Sequence, residues 1–266
     1  MSDFHPLVQT LATNLRVSVS SLPKIKPLSN HLLDKHGTVN GVIDGENLLI
    51  HNEFFKCPGL RKIHIETARL GNLDILHSVF FPDPQYDLPI FGADIVATPA
   101  GVGAAIVDIS PVNGLSDTIT SKLSKISGKY KFKEVRALPL WGDEIFSPYC
   151  KFLRLKDKKE QNNFASLVQD YIDVFCHEVI QKQMDGHDDH SWVPVMKRLD
   201  GQIWYCKQQK KNDKTRGILA KCFNQIWADG YLNDVLFDEP MTPPHHGYGS
   251  MSGLYTENTD SHIALN

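Results

Sequence analysis

The chain has 266 residues, of which 41% are hydrophobic and 22% are charged, and its formal net charge is −3. This is the composition of an ordinary globular protein, and the slight negative charge excludes a global electrostatic attraction to nucleic acid, so an anionic partner needs a local basic patch. No run of about 18 apolar residues is present to span a membrane, and the start of the chain has neither a secretory pattern nor an arginine-rich one, so we expect a cytoplasmic protein.

The first half of the chain alternates between one helix and several strands. Residues 5–18 carry apolar side chains at helical spacing, and residues 41–52 are typical of a hairpin that turns at Asp44-Gly45. Four strand-like runs follow, at residues 60–68, 73–81, 89–97 and 102–109. Because short connections join these runs, we expect antiparallel neighbours, since a parallel pair needs a crossover of about a dozen residues.

Helices dominate the second half of the chain. Apolar periodicity predicts them at residues 116–127, 160–183, 193–207 and 215–236. A strand meander with helices on both sides of it in the sequence favours an α+β fold in which helices cover the sheet faces. We expect one domain over residues 1–240 and a disordered tail over residues 241–266, where Gly, Ser, Thr and Pro replace the apolar pattern.

Ionisable side chains interrupt the apolar strands. Alternation along residues 73–81 places His77 in an apolar row, and Asp94 lies in a run that is otherwise apolar or small. A hairpin centred between residues 70 and 71 predicts His64 opposite His77. A second hairpin, centred between residues 85 and 86, predicts His77 opposite Asp94. With Glu66 two residues along from His64, these side chains are expected on one sheet face.

A lone histidine in an apolar row is more often a satisfied core residue than a functional one, and structural ion pairs also perturb pKa values. The aligned set favours a function instead. Burial raises the pKa of a carboxyl group, and a carboxyl that holds its proton beside a histidine suits proton donation.

Other motifs give weaker signals. The five cysteines have no metal-ligand spacing and are expected to be reduced thiols, so no metal or iron–sulfur site is predicted. The stretch "GVGAAI" lacks the third glycine and the later acidic residue of a dinucleotide loop. The stretch "DGHDDHS" at residues 185–191 has metal-ligand residue types but is typical of a solvated loop.

A lysine run offers a docking surface for an acidic partner. Such runs are usually solvated surface, but residues 122–133 contain five lysines and no acidic residue. The lysines are Lys122, Lys125, Lys129, Lys131 and Lys133. A second basic stretch, residues 207–216, leads into the last predicted helix.

Four long segments, in this order, resemble the ferredoxin-dependent bilin reductases. They are "RKIHIETARLGNLDILHSVFFP", "LPIFGADIVATPAGVGAAIVDISP", "LPLWGDEIFSPYC" and "YCKQQKKNDKTRGILAKCFNQIWADGYLNDVLFD". The resemblance implies a three-layer α/β/α sandwich with a central antiparallel sheet. It also implies that biliverdin IXα binds between the sheet and the C-terminal helices. No cofactor is expected in the protein, because electrons come singly from external reduced ferredoxin and form bilin radicals.

The resemblance also assigns roles to single residues. Asp94 matches the acid that protonates the bilin after an electron arrives, and His77 matches the histidine of its proton relay. Glu66 matches the acid that protonates the D-ring vinyl group, and His64 stands beside it. The supporting residues implied for the relay are Asn212 and Lys214. The residues implied for bilin binding are Arg154 and Lys214 for the propionates and Ile75, Val79 and Ile218 for the apolar walls.

The combination of Glu66, His77 and Asp94 implies phycocyanobilin as the product. The expected reaction is a four-electron reduction, first of the D-ring vinyl group and then of the A-ring diene. The sequence also leaves open a sibling reductase that makes phycoerythrobilin or phytochromobilin, a bilin carrier without redox activity, and a nicotinamide-dependent reductase. The sequence departs from the family pattern at Gly103, where a small polar residue is expected, and at Asp143, which resembles an insertion. We expect a monomer.

Overall fold

The computed structural model describes residues 4–185 and 192–242. All but the first two residues of the predicted tail, and most of the "DGHDDHS" motif, lie outside the described residues. The strands are β1 (Lys26–Pro27), β2 (Thr38–Ile43), β3 (Glu46–Cys57), β4 (Leu60–Leu70), β5 (Leu73–Pro82), β6 (Ile90–Thr98), β7 (Gly101–Ser110), β8 (Glu134–Val135) and β9 (Lys151–Leu155). The helices are α1 (Pro6–Ser20), α2 (His31–Lys35), α3 (Asp117–Ser127), α4 (Leu140–Asp143), α5 (Lys158–Asp185), α6 (Trp192–Gln209), α7 (Asp213–Cys222) and α8 (Gln225–Tyr231), followed by a π-helical segment, Leu232–Leu236.

These strands form one antiparallel sheet in the order β1-β3-β4-β5-β6-β7-β9-β8, with β2 also paired to β3. The meander predicted from the short connections is confirmed. Its first hairpin turns at Asp44 and Gly45, which have φ angles of 51° and 82°, the left-handed conformation that a two-residue turn requires. The turn between β3 and β4 uses Gly59, at φ 86°, and the turn between β4 and β5 uses Gly71, at φ 54°.

Helices cover both faces of the sheet, so the α+β class and the three layers are confirmed. One core lies between the sheet and α1, α3 and α5, and it includes Phe91, Phe164 and Phe175. A second core lies between the opposite face and the elements α6 to α8 with the π-helical segment, and it includes Phe81 and Tyr231. None of the helices in the described ranges is long and apolar enough to cross a membrane.

The helix predicted over residues 215–236 is wrong as a continuous element. It is broken after Cys222, because Asn224 takes an extended conformation and its side chain accepts a hydrogen bond from the backbone N–H of Trp227, 2.8 Å away. This N-cap starts α8 in a new direction. The sequence pattern also missed the short elements β1, α2, β8, α4 and β9, which are too short to show periodicity.

Candidate active site

A row of polar side chains crosses the sheet on the face that α6 to α8 cover. Glu66 on β4 lies directly opposite His77 on β5, and His77 lies opposite Asp94 on β6. On the other side, Asn52 on β3 pairs with Glu66. The predicted pairing of His77 with Asp94 is confirmed. Side chains in such positions lie within contact distance on one face, so the sheet itself aligns the set.

The predicted pairing of His64 with His77 is wrong. His64 lies opposite Val79, because Leu70 pairs with Leu73 and the turn therefore consists of Gly71 and Asn72 rather than being centred one position earlier. The shift moves the partner by two residues, and an even shift keeps the same sheet face. His64 therefore still lies beside the row, diagonal to His77.

His77 is held in a charged environment. Its Nδ1 donates a hydrogen bond to Oδ1 of Asp94 over 2.7 Å. Burial opposes a charge on the imidazole, but the negative charges of Asp94 and Glu66 and the hydrogen bond from His77 outweigh it, so the pKa of His77 is raised above 6.5. Nε2 of His77 is buried without a hydrogen-bond partner among the described residues.

Glu66 is a buried carboxyl group with a hydroxyl donor. Burial raises the pKa of Glu66 above its usual value, although nearby His77 and the hydroxyl of Tyr231 favour the charged form. The Tyr231 hydroxyl donates to Oε2 of Glu66 over 2.9 Å, and it accepts a hydrogen bond from the Asn52 amide nitrogen over 2.8 Å. A carboxyl group and an imidazole, each with a raised pKa, thus lie side by side.

His64 is buried with no exposed surface. Its Nε2 lies 2.8 Å from Oδ1 of Asn52, and since a carbonyl oxygen only accepts, Nε2 carries the proton. Burial, together with the charges of Lys62 and His77, holds the pKa of His64 well below 6.5. Its ring stacks on Phe54 at 4.6 Å. His64 is therefore a neutral imidazole whose tautomer is fixed by an amide, and it is not a proton store like His77.

The segment after α8 closes one side of the row. The ring of Phe237 meets His77 edge-on, 5.7 Å between centroids. The next residue, Asp238, forms ion pairs with Lys62 and Arg61 on β4. Lys62 also donates to the backbone carbonyl oxygen of Val235 over 2.8 Å. Because the Lys62 side chain is only 2% exposed, this ion pair holds the segment after α8 against the sheet.

The other side of the row is open. Asp94 is 43% exposed, and half-exposed apolar side chains surround it on the same face. They are Ile75, Val96, Ile106 and Phe152. This uncovered stretch of sheet is a flat apolar platform with an acid at its centre. The family resemblance implied Ile75, but Phe152 lies on the short strand β9 and was missed.

The remaining predicted wall residues are in different environments. Val79 is 1% exposed and packs in the second core, so it supports the platform from within. Ile218 lies on α7, whose contacts are with α8 and β2. No contact between Ile218 and the polar row is found in the described structure.

The predicted supporting and cationic residues lie outside the polar row. Asn212 caps α7 by accepting from the backbone N–H of Lys214, and neither side chain contacts the row within the described residues. Arg154 is 49% exposed and faces Glu134 at 3.4 Å. Sequence reasoning missed Arg136, which lies over the Phe152 ring at 4.7 Å and donates to the Gly103 carbonyl oxygen over 2.6 Å. Gly103, where the sequence departs from the family pattern, therefore contacts Arg136 through its backbone carbonyl oxygen.

The lysine run lies behind the sheet. Helix α3, which carries Lys122 and Lys125, packs against α5 and contributes to the first core. Three of the five lysines are paired with acids, Lys122 with Glu178, Lys129 with Asp170 and Lys133 with Asp157. These acids are remote in sequence, so the run looks more basic in the sequence than the surface is.

Among the described residues, no cluster of three or more His, Cys, Asp and Glu is placed to hold a metal ion. The five cysteines are free thiols. What the arrangement offers is a row of ionisable side chains at the edge of an open apolar platform, with a tyrosine and an asparagine that fix its inner end.

Known proteins are similar to this chain in sequence and in fold. Residues 12–238 match the family model described as ferredoxin-dependent bilin reductase. A phycocyanobilin:ferredoxin oxidoreductase of Prochlorococcus marinus (strain MIT 9303) is 45% identical over 246 residues, covering 90% of this chain and 88% of that protein. One from Synechococcus sp. (strain CC9902) is 48% identical over 243 residues, covering 91% and 96%.

A solved structure agrees at the level of the fold. Phytochromobilin synthase from tomato, in complex with biliverdin, superposes with a TM-score of 0.69 over 86% of this chain and 82% of that chain, at 19% sequence identity. The resemblance seen in the four sequence segments is thus confirmed by the family match and by the fold: this chain belongs to the ferredoxin-dependent bilin reductase family.

Proposed function

We propose that this protein reduces biliverdin IXα to phycocyanobilin with electrons from reduced ferredoxin. The row of Glu66, His77 and Asp94 carries the proposal, because it aligns ionisable side chains beside an apolar platform suited to a flat tetrapyrrole. The relatives that are 45–48% identical are named for this reaction, and the tomato structure holds biliverdin.

In the proposed reaction, each electron from ferredoxin is matched by a proton from the row. Four electrons and four protons enter in total, giving two new C–H bonds in each reduced unit, and the ferredoxins leave oxidised. Asp94, at the exposed end, protonates the bilin after an electron arrives, and His77 restores its proton. Glu66 protonates the D-ring vinyl group, which is reduced first, and the A-ring diene follows.

Binding of the bilin is proposed to use the open platform. Ile75, with Val79 farther along the same face of β5 and Ile218 on α7, is proposed to provide apolar contacts. Arg154 and Lys214 are proposed for the propionates, and Arg136 adds a guanidinium at the edge of the platform, where bidentate pairing with a carboxylate is available. In this proposal Asn212 links α7 to the site, and His64 orients the inner end of the row.

Two surfaces are available for the acidic electron donor. The lysine run of Lys122 to Lys133 is the first, but only Lys125 and Lys131 lack an acidic partner in the described part of the chain. The second is the basic stretch 207–216 on α6 and α7. We favour the second surface, because α6 and α7 cover the face on which the substrate is proposed to bind, whereas α3 is separated from it by the sheet.

The product of anaerobic turnover tests the function. Purified protein is mixed with biliverdin IXα, ferredoxin and a ferredoxin-reducing system, and the bilins are separated and identified by absorption. Phycocyanobilin is expected as the main product. Phycoerythrobilin or phytochromobilin as the main product would contradict the proposal in favour of a sibling reductase.

Two controls test for a bilin carrier and for a nicotinamide-dependent reductase. Tight biliverdin binding without any spectral change under reduced ferredoxin is the behaviour of a carrier. Turnover with NADPH alone is the behaviour of a nicotinamide-dependent enzyme. We place the reaction in the cytoplasm, in a monomer whose residues 1–240 form a single reductase domain.

A further inference from the structure

The inner end of the polar row is held by two residues to which the proposed reaction gives no role. Asn52 and Tyr231 are 179 positions apart in the sequence and both are buried. Together they connect His64 to Glu66. Glu66, at the inner end of the row, is therefore held by a continuous set of hydrogen bonds that runs through Tyr231 and Asn52 to His64.

The hydrogen bonds of Asn52 and Tyr231 show which group donates and which accepts at each contact. The Asn52 amide donates to the backbone carbonyl oxygen of His36 over 2.7 Å and to the Tyr231 hydroxyl over 2.8 Å, so both of its N–H groups are used. Its carbonyl oxygen accepts from Nε2 of His64. The Tyr231 hydroxyl has one hydrogen to give, and its nearer acceptor is Oε2 of Glu66, at 2.9 Å compared with 3.2 Å to Asn52.

This pattern determines which oxygen of Glu66 is free. Oε2 accepts from Tyr231, and no described residue forms a hydrogen bond with Oε1. In a neutral carboxyl the carbonyl oxygen is the stronger acceptor, so the hydrogen bond to Oε2 favours the acidic proton on Oε1. The proton of Glu66 is therefore directed away from Tyr231.

Aromatic packing holds the hydroxyl in place. The Tyr231 ring stacks on Trp227 at 5.0 Å with an interplanar angle of 11°, and Trp227 packs on Phe223 at 4.0 Å. The ring of His36 meets Tyr231 edge-on at 5.5 Å. A buried, stacked tyrosine has little rotational freedom, so its hydroxyl is a fixed donor for Glu66.

We propose that Tyr231, supported by Asn52, is a positioning residue that directs the proton of Glu66 toward the D-ring vinyl group and so selects the product. The inference rests on the proposed function for its substrate. It assigns Tyr231 no contact with the bilin, since Tyr231 acts through Glu66.

The substitution Tyr231→Phe tests the inference, because it removes the hydroxyl and keeps the stacked ring. The ratio of bilins that retain the D-ring vinyl group to those that have lost it should rise about tenfold, as expected for one lost hydrogen bond to an ionisable group. Biliverdin affinity should be unchanged. The substitution Tyr171→Phe is the matched control, since Tyr171 is a buried tyrosine in the first core that donates to the Tyr149 carbonyl oxygen; it should leave the ratio unchanged.

A second measurement does not need turnover. The infrared carbonyl band of protonated Glu66, assigned by its loss in Glu66→Gln, is followed against pH in the protein without bilin. Because the hydroxyl of Tyr231 favours the charged carboxylate, Tyr231→Phe should move the titration of this band to higher pH. Asn52→Ala, which leaves the tyrosine hydroxyl without its donor, should move it in the same direction by a smaller amount.

The outcomes are distinct. An unchanged product ratio in Tyr231→Phe overturns the inference, whether or not the infrared band moves, and an unchanged band overturns the hydrogen bond on which it depends. If the wild-type protein makes no reduced bilin from ferredoxin, the proposed function fails, while the infrared titration still decides whether Tyr231 positions the Glu66 proton.

Discussion

Single side chains decide where protons are held in this site. Glu66 and His77 are neighbours in the row, and the pKa of each is raised, the first mainly because burial disfavours its charge and the second because nearby carboxylates favour its charge. His64, only one diagonal position away, has a lowered pKa because it is buried and faces cations. The pKa values of two histidines on one sheet face are therefore shifted in opposite directions.

Asp94→Asn removes the proposed proton donor at the exposed end of the row. We expect biliverdin to bind with nearly unchanged affinity, since the apolar platform is untouched. The rate of product formation should fall by about 100-fold or more, as is typical when a general acid is lost. Anaerobic stopped-flow absorption and electron paramagnetic resonance measure the rate and any bilin radical that accumulates. Product formation at the wild-type rate would contradict the donor role.

The pairing of His77 with Asp94 should also appear as a pH-dependent stability. The pKa of His77 is raised in the folded state above 6.5, so its charged form stabilises the fold fully below pH 6.5 and the contribution is lost as pH rises through the folded pKa. The difference in free energy of unfolding between wild type and Asp94→Asn should therefore be larger at pH 6 than at pH 9. Urea unfolding at both pH values measures it, and a difference that grows with pH would contradict the assignment.

At the scale of elements, the strands were the most predictable part. Short connections and the Asp44-Gly45 turn predicted the meander, and the face of His77 and Asp94 followed from alternation. The break at Asn224 was not predictable from the apolar pattern, because the spacing of Phe223, Trp227 and Leu232 fits a continuous helix equally well. Tyr231 lies at the end of α8, the helix that begins after this break, and no sequence pattern indicated its contact with Glu66.

A buried cation, Lys62, holds the segment after α8 to β4. Asp238→Ala leaves Lys62 without its carboxylate while 2% exposed, and an uncompensated buried charge costs about 3–5 kcal/mol. We expect the free energy of unfolding to fall by about that amount in chemical denaturation. The matched control is Glu53→Ala, which removes an exposed pair with Arg16 and should cost about 0–1 kcal/mol. Equal losses in the two variants would show that Lys62 is not held by Asp238.

At the scale of the whole molecule, the surface charge differs from what the sequence suggests. The lysine run is strongly basic in the sequence. In the structure, however, acidic residues from α5 and the loop before it form ion pairs with three of its lysines. The pairing partners are 24 to 56 positions away, a separation that no local pattern reveals. The basic stretch 207–216 has fewer lysines, but it lies on α6 and α7, which cover the same face of the sheet as the candidate site.

Charge reversal distinguishes the two surfaces. Lys207→Glu with Lys211→Glu should raise the KM for ferredoxin several-fold, and more strongly at low salt, because the attraction between exposed charges is screened as salt is added. Lys125→Glu with Lys131→Glu makes the same change of charge behind the sheet and should have a smaller effect. Steady-state reduction at varied ferredoxin and salt concentrations measures both, and the opposite ranking would place the donor on the lysine run.

The long connection between Asn52 and Tyr231 has a consequence for the order of events in folding. Contacts between residues so distant in sequence form late, because closing a long loop carries an entropic cost before the contact rewards it. The sheet residues Glu66, His77 and Asp94 can pair through local hairpins well before Tyr231, Phe237 and Asp238 reach them. During synthesis, we therefore expect the strands to form before the site is complete. The polar row takes its final arrangement only when α8 and the segment after it have been added.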